Sequence, residues 1–325
     1  MSRPRRSAEY RDKRLLKMSL PIISIDESNR EKIDISKDIG ESCEKYGFFI
    51  VKDHNLEIST FENVKNLSRE FFNLPIENKM KYHQVGGAGQ RGYTPFGIEK
   101  AVNSSSPDQK EFWHHGRSNW QEKYIDMMPT NEDVNEIKCF DETLNDLFKD
   151  LDFLGKKILS YISLFLGLKS DWFDNKINQG NSILRLIHYP PKDRNNSGLR
   201  AGPHEDINLV TLLLGTQQAG LEILDQNNNW IPIKTNSDII VCNVGDMLER
   251  LTNKKLISTT HKVINPKDAS ENNSRYSMPF FIHLNPDFYI ETIDSCIDHN
   301  NPNLFPEGIS ADDFLNKRLK EIKLI

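Results

Sequence analysis

The chain has 325 residues, of which 37% are hydrophobic and 27% charged, with a formal net charge of −5; this is enough apolar material for one sizeable core or two small ones. No apolar run approaches the roughly eighteen residues of a membrane-spanning helix, and the acidic balance argues against a general nucleic-acid binder, which shows a basic excess or a clustered basic face. Chemistry on a small molecule is the class that remains.

The chain opens with MSRPRRSAEYRDKRLLK, which holds seven Lys or Arg but lacks the apolar core of a secretory signal. Residues 1–17 therefore read as a disordered leader ahead of Met18, and a cytoplasmic location is expected. Residues 20–26, LPIISID, form a short apolar run beside a proline and predict an edge strand. Two helical stripes follow, Ile35, Ile39, Cys43 and Tyr46, then Phe61, Val64, Leu67 and Phe71 before Pro75 stops the second. Gly86, Gly87, Gly89, Gly92 and Gly97, then residues 104–107, mark a long irregular connection of the kind that carries binding elements or disorder. Between Phe140 and Leu166 a helical stripe runs through Leu144, Leu147, Leu151, Leu154, Ile158, Ile162 and Leu166. After about Gly180 the pattern changes to short β runs, SILRLIHY, NLVTLLLG, LEIL, WIPI, DIIVCNVGD, HKVI and RYSMPFFIHL, which predict a sandwich or barrel. The last segment, SADDFLNKRLKEIKLI, begins with a capping-box-like pair, Ser310 and Asp313, and continues as a charged amphipathic helix. Cys43, Cys139, Cys242 and Cys296 form no CxxC pair and read as buried thiols in a reducing compartment.

His204 and Asp206 stand two apart in PHEDINLV, so on an extended chain they share a face while Glu205 points elsewhere. His261 opens the run HKVI, and a folded sheet can bring it opposite that pair. Two histidines and one carboxylate on one side of a metal leave the other side open, the arrangement of non-haem iron oxygenases. Zinc accepts the same ligands, and a structural His–Asp pair is the bland alternative. Further on, Arg275 and Ser277 flank Tyr276 and so face together. A buried guanidinium needs an anion, either an internal carboxylate or a dicarboxylate cosubstrate gripped two-pronged with the hydroxyl adding a third hydrogen bond. The other histidines, among them His54, His114, His115, His188 and His283, lack ligand spacing and read as structural.

These motifs resemble the isopenicillin N synthase-like family of iron(II)/2-oxoglutarate-dependent oxygenases. The order His204-x-Asp206, His261, Arg275-x-Ser277 carries the resemblance, and PIISID, YGFFIVKDH, RGYTPFGIE, DQKEFW, LRLIHYPP, NVGDMLERLTN, STTHKVINP and SMPFF extend it over essentially everything after Met18. What it implies is an α+β fold with a double-stranded β-helix (jelly-roll) core and flanking helices. An N-terminal helical and loop region would span 18–135, the long helix and catalytic core 136–285, and a C-terminal segment with a capping helix 286–325. The resemblance further implies Fe(II) on His204, Asp206 and His261, 2-oxoglutarate and O2 as cosubstrates, and Arg275, Ser277 and Tyr189 as cosubstrate-binding groups. Ile187 stands where plant members commonly carry asparagine. The expected reaction hydroxylates, desaturates or cyclises a small organic molecule and releases succinate and carbon dioxide.

The expected actor is a monomer with a small-molecule substrate and no nucleic-acid or membrane partner. Two rivals stand beside it: an iron oxidase of isopenicillin N synthase type that uses no 2-oxoglutarate, and a metal-binding sensor without turnover. Substrate choice is expected from what covers the barrel mouth, the Gly-rich loop around residues 90–97, the DQKEFW segment and the helix after Ser310, with Arg91, Tyr93, Phe112 and Trp113 as pocket residues. The alternative is that Tyr93, Phe112 and Trp113 plug the gap between loop and barrel.

Overall fold

In the computed structural model, which describes residues 20–99, 107–191, 199–214, 220–233, 236–266 and 272–321, the helical stripes become buried faces. Residues 1–17 and 104–106 lie outside the described residues. Helix α1 (Lys32–Tyr46) buries Ile35, Ile39 and Cys43 and ends at Gly47, whose φ of 64° lets its N–H close on the Cys43 carbonyl. Helix α2 (Ile58–Phe72) buries Phe61, Val64 and Phe71. Leu67 is only partly covered, and the adjacent Ser68 is buried instead, its hydroxyl donating to the Val64 carbonyl. Helix α3 (Phe140–Phe165) buries every leucine and isoleucine of the predicted stripe, and Leu166 caps it. It packs on α1 and on the larger sheet.

The strands of the two larger sheets are β1 (Ile22–Ser24), β2 (Phe48–Lys52), β3 (Gly92–Thr94), β4 (Glu111–Gly116), β5 (Ile183–Tyr189), β6 (Ala201–His204), β7 (Val210–Leu214), β8 (Leu221–Leu224), β9 (Trp230–Pro232), β10 (Ile240–Val244), β11 (His261–Val263), β12 (Arg275–Ser277) and β13 (Pro279–Ile282). They form a nine-stranded sheet in the order β1-β2-β10-β7-β13-β5-β4-β3, with β12 also on β5, and a four-stranded sheet in the order β6-β11-β8-β9. From β5 onward the chain passes back and forth between the two sheets, the winding of a jelly roll. Among the described residues only β1 and β2 pair in parallel; the other pairs are antiparallel. The predicted opening strand is an edge strand, as its proline requires.

Two further helices cover the core: α4 (Asp246–Leu251) follows β10, and α5 (Ala311–Glu321) closes the described chain. The pair at the start of α5 forms as expected, with Ser310 Oγ accepting from the Asp313 N–H at 3.1 Å and donating to Asp313 Oδ2 at 2.6 Å. The four cysteines are free. Cys43, Cys242 and Cys296 are buried, but Cys139 is exposed because it turns the chain into α3 with a φ of 60°.

Candidate active site

Strand register assembles the metal-ligand candidates. β6 ends at His204, the chain reaches Asp206 two residues on, and β11 begins at His261, which pairs with His204 across the ladder. The imidazole centroids are 4.4 Å apart. Asp206 Oδ1 lies 3.9 Å from His204 Nε2 and 3.8 Å from His261 Nε2, and one donor atom from each residue falls within 4.8 Å of the others. Glu205 accepts a hydrogen bond from Thr260 instead.

Every atom not aimed at the centre is occupied. His204 Nδ1 is 2.8 Å from the Gly202 carbonyl and His261 Nδ1 is 3.2 Å from the Thr259 carbonyl. A carbonyl only accepts, so each Nδ1 carries the proton and each Nε2 offers a lone pair. Asp206 Oδ2 accepts from Thr211 Oγ1 at 2.6 Å and from Asn243 Nδ2 at 2.8 Å, which leaves Oδ1 for the centre. Desolvation, and then the neighbouring His261, lowers the His204 pKa. Burial pushes the Asp206 carboxyl up, but the two imidazoles and the two donors outweigh it and lower the value. Neutral imidazoles and an ionised carboxylate are the forms that bind metal, and two nitrogens with one oxygen on one side suit iron(II) with open positions.

Arg275 and Ser277 lie on β12 opposite Tyr189 and Ile187 of β5. Together with Tyr189 they line a cavity of about 550 Å³ between the two sheets, onto which the three metal-ligand candidates also open. Tyr276 faces the other way, stacked on His188 with centroids 5.0 Å apart. Arg275 is 3% exposed, and its Nε and Nη1 are buried with no hydrogen-bond partner. Among the described residues no carboxylate pairs with it, so the internal Arg–Asp bridge does not form. Burial pulls its pKa down, and an anion delivered to this guanidinium relieves an unpaired buried charge.

Farther along the inward face of β5 is Arg185. Its Nε donates to His114 Nε2, its Nη1 lies 3.3 Å from Glu99 Oε2, and the rings of Phe112 and Phe281 sit 4.2 and 5.2 Å from the guanidinium carbon. Lys110 Nζ donates to Asp108 Oδ2 at 2.9 Å and lies 3.2 Å from Glu99 Oε2. Burial opposes the Glu99 charge, yet Arg185 and Lys110 outweigh it and hold the carboxyl well below its usual range. His114, lowered first by burial and then by Arg185, is a neutral imidazole. From α5, Leu315, Arg318 and Leu319 roof the cavity, with Arg318 Nη2 2.9 Å from Asp246 Oδ2.

None of the four expected pocket residues lines the cavity. Arg91, Tyr93 and Trp113 are 0% exposed and do not line the cavity. Trp113 packs on Phe71 and Phe140, so it fills the space between sheet and helices. Tyr93 donates to Glu111, and Arg91 Nη2 donates to Asn181 at 2.7 Å. Phe112 supports Arg185 and packs with Ile187, Tyr189, Ala201 and Val263. His114 and His283, expected to be structural, line the cavity. Asp108 and Lys110 come from the DQKEFW segment expected at the mouth, whereas Glu99 and Arg185 are not among the expected residues; the alternation that joins Tyr189 to Ile187 also reaches Arg185 and is the signal that finds it.

Residues 20–133 match the model of the non-haem dioxygenase N-terminal region named for morphine synthesis, and residues 180–284 match that of the 2OG-Fe(II) oxygenase superfamily. A homoarginine-6-hydroxylase of Arabidopsis thaliana is 31% identical over 86% of this chain and 88% of its own. This chain belongs to the 2OG-Fe(II) oxygenase superfamily. Among solved members, a 2OG-Fe(II) oxygenase family protein of Caulobacter crescentus superposes with a TM-score of 0.86 at 40% identity, covering 94% of this chain and 99% of that one. A Neurospora crassa protein in complex with alpha-KG and thymine gives a TM-score of 0.82 at 28% identity, covering 93% and 96%. As a 2OG-Fe(II) oxygenase, the chain is an iron(II)- and 2-oxoglutarate-dependent dioxygenase acting with O2 on a small organic molecule, with release of succinate and carbon dioxide.

Proposed function

We propose that His204 Nε2, Asp206 Oδ1 and His261 Nε2 hold the iron, that Arg275, Ser277 and Tyr189 hold 2-oxoglutarate, and that Arg185 presents a small polar substrate. The observation that carries this reading is that the three ligand candidates and a buried arginine without a carboxylate partner open onto one cavity. When bound, iron(II) with 2-oxoglutarate supplies the oxidising chemistry. The chain's own groups bind and orient. Arg275 and Ser277 fix the far carboxylate of 2-oxoglutarate, and Tyr189, opposite Arg275 in the ladder, adds a hydroxyl beside it.

Arg185 sits four residues back along the same strand face, roughly 13 Å from Tyr189 at about 3.3 Å per residue, so one anchor stands at each end of the cavity. Its Nε and Nη1 are engaged, and Nη2 is left to meet an acceptor oxygen. Charges on this wall cancel in pairs, Arg185 with Glu99 and Lys110 with Asp108, which favours an uncharged amide or carbonyl over a free ammonium. Thymine, bound by the Neurospora crassa relative, has such oxygens. Leu315 and Leu319 cover the mouth and limit water. A cytoplasmic monomer without nucleic-acid or membrane partners completes the reading, in keeping with the net charge of −5. No helix among the described residues is long and apolar enough to cross a membrane.

The test is a screen of small carbonyl and amide compounds for substrate-dependent succinate release, repeated with Arg185→Ala. A charged hydrogen bond contributes about 1.5–3 kcal/mol, so the variant should raise the substrate KM at least about tenfold while the KM for 2-oxoglutarate stays near the parent's. An unchanged substrate KM would remove Arg185 from recognition.

A further inference from the structure

β6, which carries His204, is an edge strand of the smaller sheet, paired on one side with β11 alone. Its sequence, AGPH, is poorly suited to hold an edge by itself, since glycine weakens a strand and proline donates no hydrogen bond. The unpaired side is tied from the opposite sheet. Asp108, three residues before β4 and only 6% exposed, accepts the Gly202 N–H on Oδ1 at 3.0 Å. Its other oxygen accepts from Lys110 Nζ at 2.9 Å, and Lys110 also contacts Glu99. Beside it, the Gln109 N–H donates to the Leu199 carbonyl at 3.1 Å, so the two segments are laced at two points.

The same Gly202 accepts from His204 Nδ1 through its carbonyl. One glycine is therefore fixed from behind by a buried carboxylate while it fixes the tautomer and tilt of the imidazole in front. Thr211 and Asn243 do the equivalent for Asp206 directly. His204 is the most exposed of the three metal-ligand side chains, 35% against 8% for Asp206 and 10% for His261, so it has the least packing to hold its ring in place.

We propose that Asp108 is a positioning residue for the metal centre, holding His204 in its ligating orientation through Gly202, with Lys110 keeping the carboxylate oriented. The inference rests on the reading of His204 as an iron ligand. Groups behind the ligands typically change metal affinity about 10–100-fold when removed, and Asp108 acts one residue farther back, so the low end applies.

The test is an anaerobic iron(II) titration of the full chain, parent against Asp108→Ala and Asp108→Asn, at a temperature where circular dichroism shows all three folded. Asp108→Ala should weaken iron(II) binding about tenfold, whereas Asp108→Asn, whose amide oxygen can still accept from Gly202, should recover most of that loss. Should the alanine variant fail to fold, Asp108→Ser, too short to reach Gly202, carries the same expectation. A lower melting temperature with parental iron affinity would mark Asp108 as a purely structural tie and overturn the proposal, as would equal losses in the alanine and asparagine variants. His204→Ala is the control. If the parent binds iron no better than that variant, the ligand reading itself fails; if the two differ while Asp108→Ala matches the parent, only the positioning role falls.

Discussion

Arg275 and Arg91 are both buried arginines without a carboxylate partner among the described residues, and their surroundings assign them different work. Arg275 faces the cavity with two nitrogens lacking partners. Arg275→Leu should therefore weaken 2-oxoglutarate binding at least about tenfold, as loss of a charged hydrogen bond demands, with iron affinity little changed; anaerobic charge-transfer absorbance against 2-oxoglutarate concentration reads this out. Arg91 is instead wedged against Gly116, where an added Cβ would lie 1.9 Å from the guanidinium carbon. Gly116→Ala should cost about 1–3 kcal/mol through overpacking, read from urea unfolding, and leave the 2-oxoglutarate affinity alone. Protonation also acts at this scale. Burial holds both His115 and His283 down at about 4, below their value of about 6.5 in an unfolded chain. Their contribution to stability is full above pH 6.5 and is lost as pH falls toward 4, because the unfolded chain takes up protons that the folded one refuses. Each adds a slope of up to about 1.4 kcal/mol per pH unit in that window, so the urea midpoint should drop steeply between pH 6 and 4. A flat profile there would mean that neither histidine is held neutral by burial.

At the scale of elements, legibility follows period and context. The long stripe of α3 is readable because a helix against a sheet must bury one face, and Leu151→Ala, at its fully buried centre, should cost about 2–5 kcal/mol in the same unfolding measurement. The capping pair of α5 is readable because it is local; Ser310→Ala should cost about 1 kcal/mol and speed proteolysis of the α5 roof. β6 is not readable. AGPH has neither alternation nor strand formers, and only pairing with β11 and the tie to Asp108 make it a strand. β4 is hidden for another reason: Glu111, Trp113 and His115 face the helices while Lys110, Phe112 and His114 face the barrel, and both faces are buried, so no solvent side prints a pattern of alternation. The pocket expectation for Tyr93 and Trp113 does not match their placement on that account. Aromatic residues near a glycine-rich loop read alike whether they line a cavity or fill a core.

At the scale of the whole molecule, the jelly roll brings onto one cavity residues from distant parts of the chain, from Phe48 to Leu319. The metal-ligand candidates are legible in the sequence because their chemistry is distinctive: His204, Asp206 and His261 are spaced for a metal, and Arg275 with Ser277 for an anion. Their supporting groups, Thr211, Asn243 and Asp108, are ordinary polar residues whose role exists only in three dimensions. On the proposed reading, the chain works through an iron held by that triad and chelated by 2-oxoglutarate. The most direct test of that reading is anaerobic titration of the metal-free protein with iron(II) in the presence of 2-oxoglutarate, followed by visible absorbance, for the parent and for Asp206→Ala. The account predicts one equivalent of iron, a charge-transfer band that saturates with it, and loss of both in the variant. An undiminished band in Asp206→Ala, or no band in the parent, would contradict it.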